Sequence, residues 1–434
     1  MSMSEQKSEP GSHERFDSKP RDLLRSFGLG IITGAADDDC SAVGTYSQAG
    51  ASFGYTLLWT VPYLLPMMVT VVYLSSKLGQ VTGEGLFSAI RSNYSRRLLY
   101  IVLIGVVVGN TIEAGADIGG IAAGLQLLIP LPQKLLVVAV AAVSFALQIW
   151  GSYRLISNVF RVLALSLLAY VLSMFMAHPD LHQIILAVVR PRLKLDREGL
   201  SILVAMIGTA LSAYLFTWQS NEEVEEKIAA GQVRLHERRG TTERRLHKTL
   251  LDVVLGMFFS ALVMYAIIIA TAATLFASGK HNIQTAADAA KALVPAAGHA
   301  ASLLFTLGIV GVGFLAIPVM TTGAAYDVCQ SFDVRNGLNL KLRDGKVFYS
   351  TIAGVMAAAV AMNFFGVNPM RALVFAGIVQ GFSTPPLMLL IVLMTGSRRI
   401  MGDKRNRFAA SLFGWSTTVV IFAVSLALVY AWIA

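Results

Sequence analysis

Apolar residues run along this chain in long blocks, separated by short polar stretches that hold nearly all of the charge. A helix needs about 20 apolar residues to cross the hydrocarbon core of a bilayer. Blocks of that size recur about eleven times, at roughly 26–53, 55–77, 98–129, 132–151, 157–177, 200–226, 248–278, 301–328, 347–366, 369–395 and 408–434. The pattern predicts an all-α polytopic membrane protein. Residues 1–25 are polar and read as a disordered cytoplasmic tail, with nothing resembling a cleaved signal peptide.

Composition narrows the class. Of 434 residues, 55% are apolar and only 14% charged, against about 25% charged in soluble domains. Mean hydropathy is +0.63. These values exclude a soluble globule, a disordered chain, a collagen and a coiled coil. Two cysteines, Cys40 and Cys329, exclude a disulfide framework. The net charge of +9 suggests nucleic acid until the cations are placed on the chain. Of 35 Lys and Arg, 27 fall in the tail and the loops after even-numbered spans, and 8 fall on the other side. Basic loops stay cytoplasmic. The bias therefore puts the N-terminus in the cytoplasm and, with eleven spans, the C-terminus outside, in a cytoplasmic (inner) membrane. The expected partner is the bilayer rather than nucleic acid. The basic run from Arg234 to Lys248 reads as a solvated loop, with binding to anionic lipid as the alternative.

Two spans are interrupted. The first reads GLGIITGAADDDCSAVGTYSQAGASFG, with Asp37, Asp38 and Asp39 in mid-span. A carboxylate at the bilayer centre costs several kcal/mol when charged and unpaired. Consecutive helix positions point about 100° apart, so three adjacent ones cannot share a single face. The economical solution is a broken helix lining a cavity, with Gly34 and Gly44 helping the backbone leave and rejoin it. The sixth span reads LSILVAMIGTALSAYLFTWQSNEEVEE, soft and polar from Gly208 to Tyr214. Spans 1 and 6 open corresponding units if the chain is a five-plus-five repeat (about 26–177 and 200–395) with one extra helix (about 408–434). Paired interruptions of this kind mark a transporter site, and carboxylates with unwound carbonyls suit a cation. The alternatives are a loop outside the membrane for the first and small-residue packing for the second.

The chain from Asp39 onward, DCSAVGTYSQAGASFGYTLLW, resembles the first-helix signature of the Nramp divalent-metal transporters, a DPGN box followed by QAGA, FGY and LLW. Gln48-Ala49-Gly50-Ala51, Phe53-Gly54-Tyr55 and Leu57-Leu58-Trp59 match at the same spacing, and Val81-Thr82-Gly83 resembles the family's VTG segment. The DDD run, GTYSQAGA, and YLF-WQ followed by Glu222-Glu223-Val224-Glu225-Glu226 are similar to the Nramp-related magnesium transporter branch. The resemblance implies a LeuT-type fold with inverted repeats, broken helices 1 and 6, and alternating access. It places metal at Asp39, the Ala36 and Thr209 carbonyls, and Ser212 in the position of the family's MPH methionine. Ala42 replaces the family's asparagine and carries no ligand atom. Cys40 and Ala213 stand where relatives have proline, which denies a helix hydrogen bond.

These departures have a chemical direction. A hydroxyl at Ser212 in place of a thioether removes the soft ligand, and oxygen ligands suit Mg²⁺ and Mn²⁺. Ala42 leaves room for water, which Mg²⁺ retains. Asp37 and Asp38 add negative potential beside the site, and the Cys40 thiol reads as packed. Tyr214 and Gln219 replace the histidines that relatives carry, and neither titrates near neutral pH. The expectation is uncoupled, gradient-driven movement of a hard divalent cation. Proton-coupled Mn²⁺/Fe²⁺ symport, amine transport and a non-transporting sensor are the alternatives. Glu113 and Asp117 share a face of span 3 and read three ways: proton path, second cation-attracting site or helix contact. In span 10, Gln380, Ser383 and Thr384 before Pro385-Pro386 read as a kinked helix or as a cavity wall. The seven histidines lie in the tail and loops and form no zinc cluster. No phosphate loop or nucleophile constellation is present, so neither ATP-driven transport nor enzymatic chemistry is supported, and no cofactor is implied.

Overall fold

The computed structural model describes residues 33–34, 36–150, 168–192, 196–337 and 340–433, apart from the side chains of Trp150 and Ala296. The predicted tail lies outside the described residues, as do parts of the predicted spans at 26–53 and 157–177. Among the described residues all regular structure is helical. The principal helices are α1 (Cys40–Phe53), α2 (Thr60–Thr82), α3 (Leu86–Asn93), α4 (Arg96–Leu125), α5 (Gln133–Trp150), α6 (Leu168–Met176) and α7 (Leu181–Val189). They continue with α8 (Arg197–Ala210), α9 (Ala213–Ala229), α10 (Glu243–Thr271), α11 (Ala301–Ser331), α12 (Lys346–Met362), α13 (Pro369–Gly396) and α14 (Phe408–Ile433).

Eight of these, counting α8 with α9 as one, are long and apolar enough to cross a membrane. The fourth predicted span is the shorter apolar helix Gln133–Ile149. Two elements differ from expectation. The loop expected after residue 177 contains α7, bent 117° from α6 and with no buried residue. The polar stretch after span 2 contains α3, whose apolar face (Leu86, Phe87, Ile90) is buried.

Polar residues fix the helix ends. Ser95, Asp196, Thr242 and Asn368 each accept a hydrogen bond from a first-turn amide of α4, α8, α10 and α13, satisfying a donor the helix leaves open. Gly83 ends α2 at φ +69°, a conformation glycine adopts without a Cβ penalty. The core is built by α11 and α13 against α4, α8 against α13, and α9 against α2. At the α8–α13 crossing, Gly208 meets the backbone of Gly377 and Gly381 with no room for a Cβ, the close approach small residues permit between membrane helices.

One corner is tied by a buried cation. The Lys227 ammonium, near the end of α9, donates to the carbonyls of Gln80, Arg238 and Gly240. These are all three of its protons. Beside it, Glu223 accepts from Ser76 of α2 and pairs with Arg245 of α10 at 3.5 Å.

Candidate functional site

Both expected interruptions are present. Thr33, Gly34, Ala36 and Asp37 are helical, the chain bends at Asp38, and Asp39 is extended before α1 begins. In the second, α8 ends at Ala210, Leu211 leaves the helical region, and Ser212 is extended (ψ 135°) before α9. Neither break uses proline or a positive-φ glycine. The first is held by Asp39 itself, which caps α1 by accepting from the Ala42 amide at 2.7 Å and the Ser41 hydroxyl at 2.8 Å. The second is held by hydroxyls. Ser212 Oγ reaches the carbonyls of Gly208 and Thr209 at 3.0 and 2.9 Å, and Thr384 Oγ1 of α13 donates to the Leu211 carbonyl at 2.7 Å.

The role expected of Gly34 and Gly44 is corrected. Neither takes a left-handed conformation. Gly34 lies against the Gly256 backbone of α10, and Gly44 sits inside α1 against Leu373. Both residues buy packing distance rather than a bend.

The two breaks meet. Tyr214, on the first turn of α9, puts its hydroxyl 2.8 Å from the Ala36 carbonyl and 3.0 Å from Asp39 Oδ2. Ser41 Oγ lies between Asp39 Oδ1 (2.8 Å) and Glu113 Oε1 (3.0 Å). Glu113 is also reached by Ser212 at 3.4 Å and by the Gln380 amide. Gln380 in turn accepts from the Ala213 amide at 3.3 Å and from Ser383 at 2.9 Å. Asp39, Ala36, Thr209, Ser212, Tyr214, Glu113 and Gln380 therefore form one connected set. The two carbonyls named from sequence, Ala36 and Thr209, are each engaged by a hydroxyl from the start of α9.

Asp37 and Asp38 point elsewhere, toward α10. Ser260 Oγ lies 2.6 Å from Asp37 Oδ2 and 3.2 Å from Asp38 Oδ1, while Asp37 Oδ1 and Asp38 Oδ2 have no hydrogen-bond partner. Asp117 lies against the Cys40 and Ser41 amides that open α1, without closing a hydrogen bond of standard geometry. Glu113 joins the connected set through Ser41, Ser212 and Gln380, whereas no side-chain hydrogen bond links Asp117 to it. Gln219 accepts from Thr33 at 2.6 Å and stays on the edge of the set. Cys40 is packed, its thiol directed at the Ile309 carbonyl.

Sequence reading missed Ser41 and Ser260. Ser41 was visible as the box residue two beyond Asp39, in position to bridge. Ser260 carried only a weak signal, one small hydroxyl within the apolar run from Val253 to Ala270.

Electrostatically the centre is one-sided. Asp37, Asp38, Asp39, Glu113 and Asp117 are all at most 1% exposed. Among the described residues, every salt bridge involves other carboxylates. Desolvating a carboxylate costs several kcal/mol unless a cation or good hydrogen bonds offset it. Two buried polar atoms without a hydrogen-bond partner, Tyr46 OH and Asn110 Nδ2, lie near these carboxylates. No cage of three or more His, Cys, Asp or Glu converges on one point among the described residues. The centre concentrates buried carboxylates without forming a closed chelate.

Comparison with known proteins agrees with this architecture. The chain is similar in structure to the Eremococcus coleocola manganese transporter in complex with an aromatic bis-isothiourea compound, at TM-score 0.73 and 19% identity over 96% of this chain and 87% of that one. It is also similar to Mhp1 in an inward-facing conformation (TM-score 0.55, 14% identity, 93% and 90% covered). A third match is a Na⁺-coupled sialic acid symporter in a substrate-bound outward-open state (TM-score 0.51, 12% identity, 93% and 96% covered). The LeuT-type fold that the sequence resemblance implies is the one observed. The profile of the natural resistance-associated macrophage protein-like family, Nramp, matches residues 30–431, and this multi-pass membrane protein therefore belongs to the Nramp family of divalent-metal transporters.

Proposed function

We propose that this protein moves a hard, partly hydrated divalent cation, Mg²⁺ or Mn²⁺, down its gradient by alternating access across the cytoplasmic membrane. The N-terminus lies on the cytoplasmic side. The observation that carries the reading is the set of five buried carboxylates, three at the first helix break and two on α4 beside it, with no cationic side chain paired to them among the described residues. A divalent cation offsets that charge, and the oxygen-only surroundings favour a hard ion.

The cation is taken at Asp39, with the Ala36 and Thr209 carbonyls as its backbone ligands. These carbonyls accept from the hydroxyls of Tyr214 and Ser212. Admission of an ion turns both hydroxyls from the carbonyls toward the metal or its water. Each is a small rotation on the first turn of α9, so ion entry and α9 movement are linked. Asp37 and Asp38, set off toward Ser260, raise the local cation concentration and accept hydrogen bonds from the ion's retained water, since Mg²⁺ sheds its shell reluctantly. Glu113 and Gln380 form the opposite wall. The Eremococcus coleocola protein is named a manganese transporter, which supports the divalent class.

The test is a competition panel in proteoliposomes with internal pH recorded. Flux of Mg²⁺ and Mn²⁺ without metal-dependent acidification is expected. A preference for Cd²⁺ over both would overturn the hard-ion reading. One observation favours a second reading: Ser41 links Glu113 directly to Asp39, a route by which a proton displaced at Asp39 would reach Glu113. Metal-dependent acidification abolished in Glu113→Gln would favour that coupled reading.

A further inference from the structure

A cleft of about 540 Å³ lies far from the two breaks, between α2, the first turns of α10 and the turn leading into α14. Its two ends differ in chemistry. One gathers Lys77, Lys404, Arg405 and Arg407; the other is walled by Leu65, Val69, Leu250 and Phe413. Lys77 lies within electrostatic reach of both Arg407 and Lys404, although it is only 5% exposed. Two carboxylates, Glu243 and Asp403, also line this end. Glu243 is engaged by Lys404 at 2.6 Å and Lys77 donates to Asn406 at 3.1 Å. Arg405 and Arg407 remain exposed. The lining thus keeps a net excess of two cations, held against one another at a membrane-helix end.

We propose that this cleft binds one anionic phospholipid, its phosphate at Arg405, Arg407 and Lys77 and its acyl chain along α2. Basic pockets between membrane helices on the positively charged side recognise such headgroups. The length argues for lipid over a free phosphate. Leu65, Val69, Tyr73 and Lys77 form one stripe on α2, and the twelve helical steps from Leu65 to Lys77 span about 18 Å at 1.5 Å per residue. That is roughly half of the ~30 Å hydrocarbon core, the reach of one leaflet. The opposite face of α2 is tied to α9 by Ser75, which donates to the Phe216 carbonyl, and by Ser76, which donates to Glu223. A lipid seated here touches the helix that is bonded to α9, which begins at the second break.

Native mass spectrometry of the full-length protein, titrated with phosphatidylglycerol or phosphatidylcholine, tests this. Preferential retention of phosphatidylglycerol is expected. Arg405→Ala with Arg407→Ala should weaken it about thirty-fold, at about 1 kcal/mol per surface cation and 1.4 kcal/mol per decade. Arg398→Ala with Arg399→Ala removes equal charge outside the cleft and should leave it unchanged. Val69→Trp, which fills the apolar arm and spares the charge, should also weaken retention. Equal binding of the two lipids, equal losses in both arginine pairs, or displacement by millimolar inorganic phosphate would each overturn the proposal.

Discussion

The two helix breaks do the same geometric job by opposite chemistry. The first is acidic: a carboxylate caps α1, and two more stand beside it with one oxygen each unpartnered. The second is neutral: Ser212 and Thr384 cover the carbonyls that α8 leaves behind. One break supplies fixed charge and the other supplies dipoles whose engagement can change. A cation needs both, because charge attracts it while exchangeable acceptors let it leave.

The sharpest way to break this comparison is to remove charge from the first break while keeping its cap. Asparagine caps helices as well as aspartate, so Asp39→Asn should leave the thermal midpoint within a few degrees of wild type. Losing a buried opposite-charge contact is worth about 3–5 kcal/mol, so flux in proteoliposomes should fall by about 100-fold or more. Normal flux in a folded Asp39→Asn protein would show that the acidic break only caps.

The second break should respond in stability first. Thr384→Val leaves the Leu211 carbonyl without its donor, at about 1–3 kcal/mol for a buried unsatisfied group. Thermal unfolding in detergent should register that loss with transport only modestly slowed. An unchanged midpoint would mean that water or relaxation replaces the hydroxyl.

Selectivity comes next in size. Ser212→Met restores a thioether and should raise Cd²⁺ flux relative to Mg²⁺ by roughly ten-fold, the value of about 1.4 kcal/mol. No gain would detach the neutral break from ion choice.

The smallest effect serves as a control in the loop before α11. Burial alone would push the Asp288 carboxyl up, but Thr285, Lys280 and Lys291 outweigh it and hold its pKa at about 2. A depressed carboxylate contributes above its unfolded pKa of about 3.9, and that contribution fades as pH falls through about 2. Asp288→Asn should therefore lower the thermal midpoint slightly at pH 7, lower it progressively less as pH falls toward 2, and not alter flux. A flux change would implicate this loop in ion entry.

Much of this was legible in the sequence because membranes restrict what a chain can do. Three adjacent aspartates in an apolar block admit few solutions, and the broken helix was one. Asp39, Ala36, Tyr214 and Gln380 came together because short motifs fix local geometry at each break. What the sequence hid was the means. Cys40 and Ala213 stand in place of the family's prolines, yet a carboxylate cap and hydroxyls, one of them from a third helix, hold both breaks. Ser260 and Thr384 act across helices, and no local pattern announces a partner more than 150 residues away. Gly34 and Gly44 misled for the related reason that glycine serves both bends and contacts, and only packing tells which.

The Lys227 anchor has a mechanical consequence. Its three bonds join the end of α2, the 238–240 loop and α9 at one buried point, and Lys→Met there would strand three carbonyls at once. That corner should therefore move as a single lever: spectroscopic labels on α2 and α9 near it are expected to hold a constant separation under transport conditions, and a changing separation would show that the anchor releases.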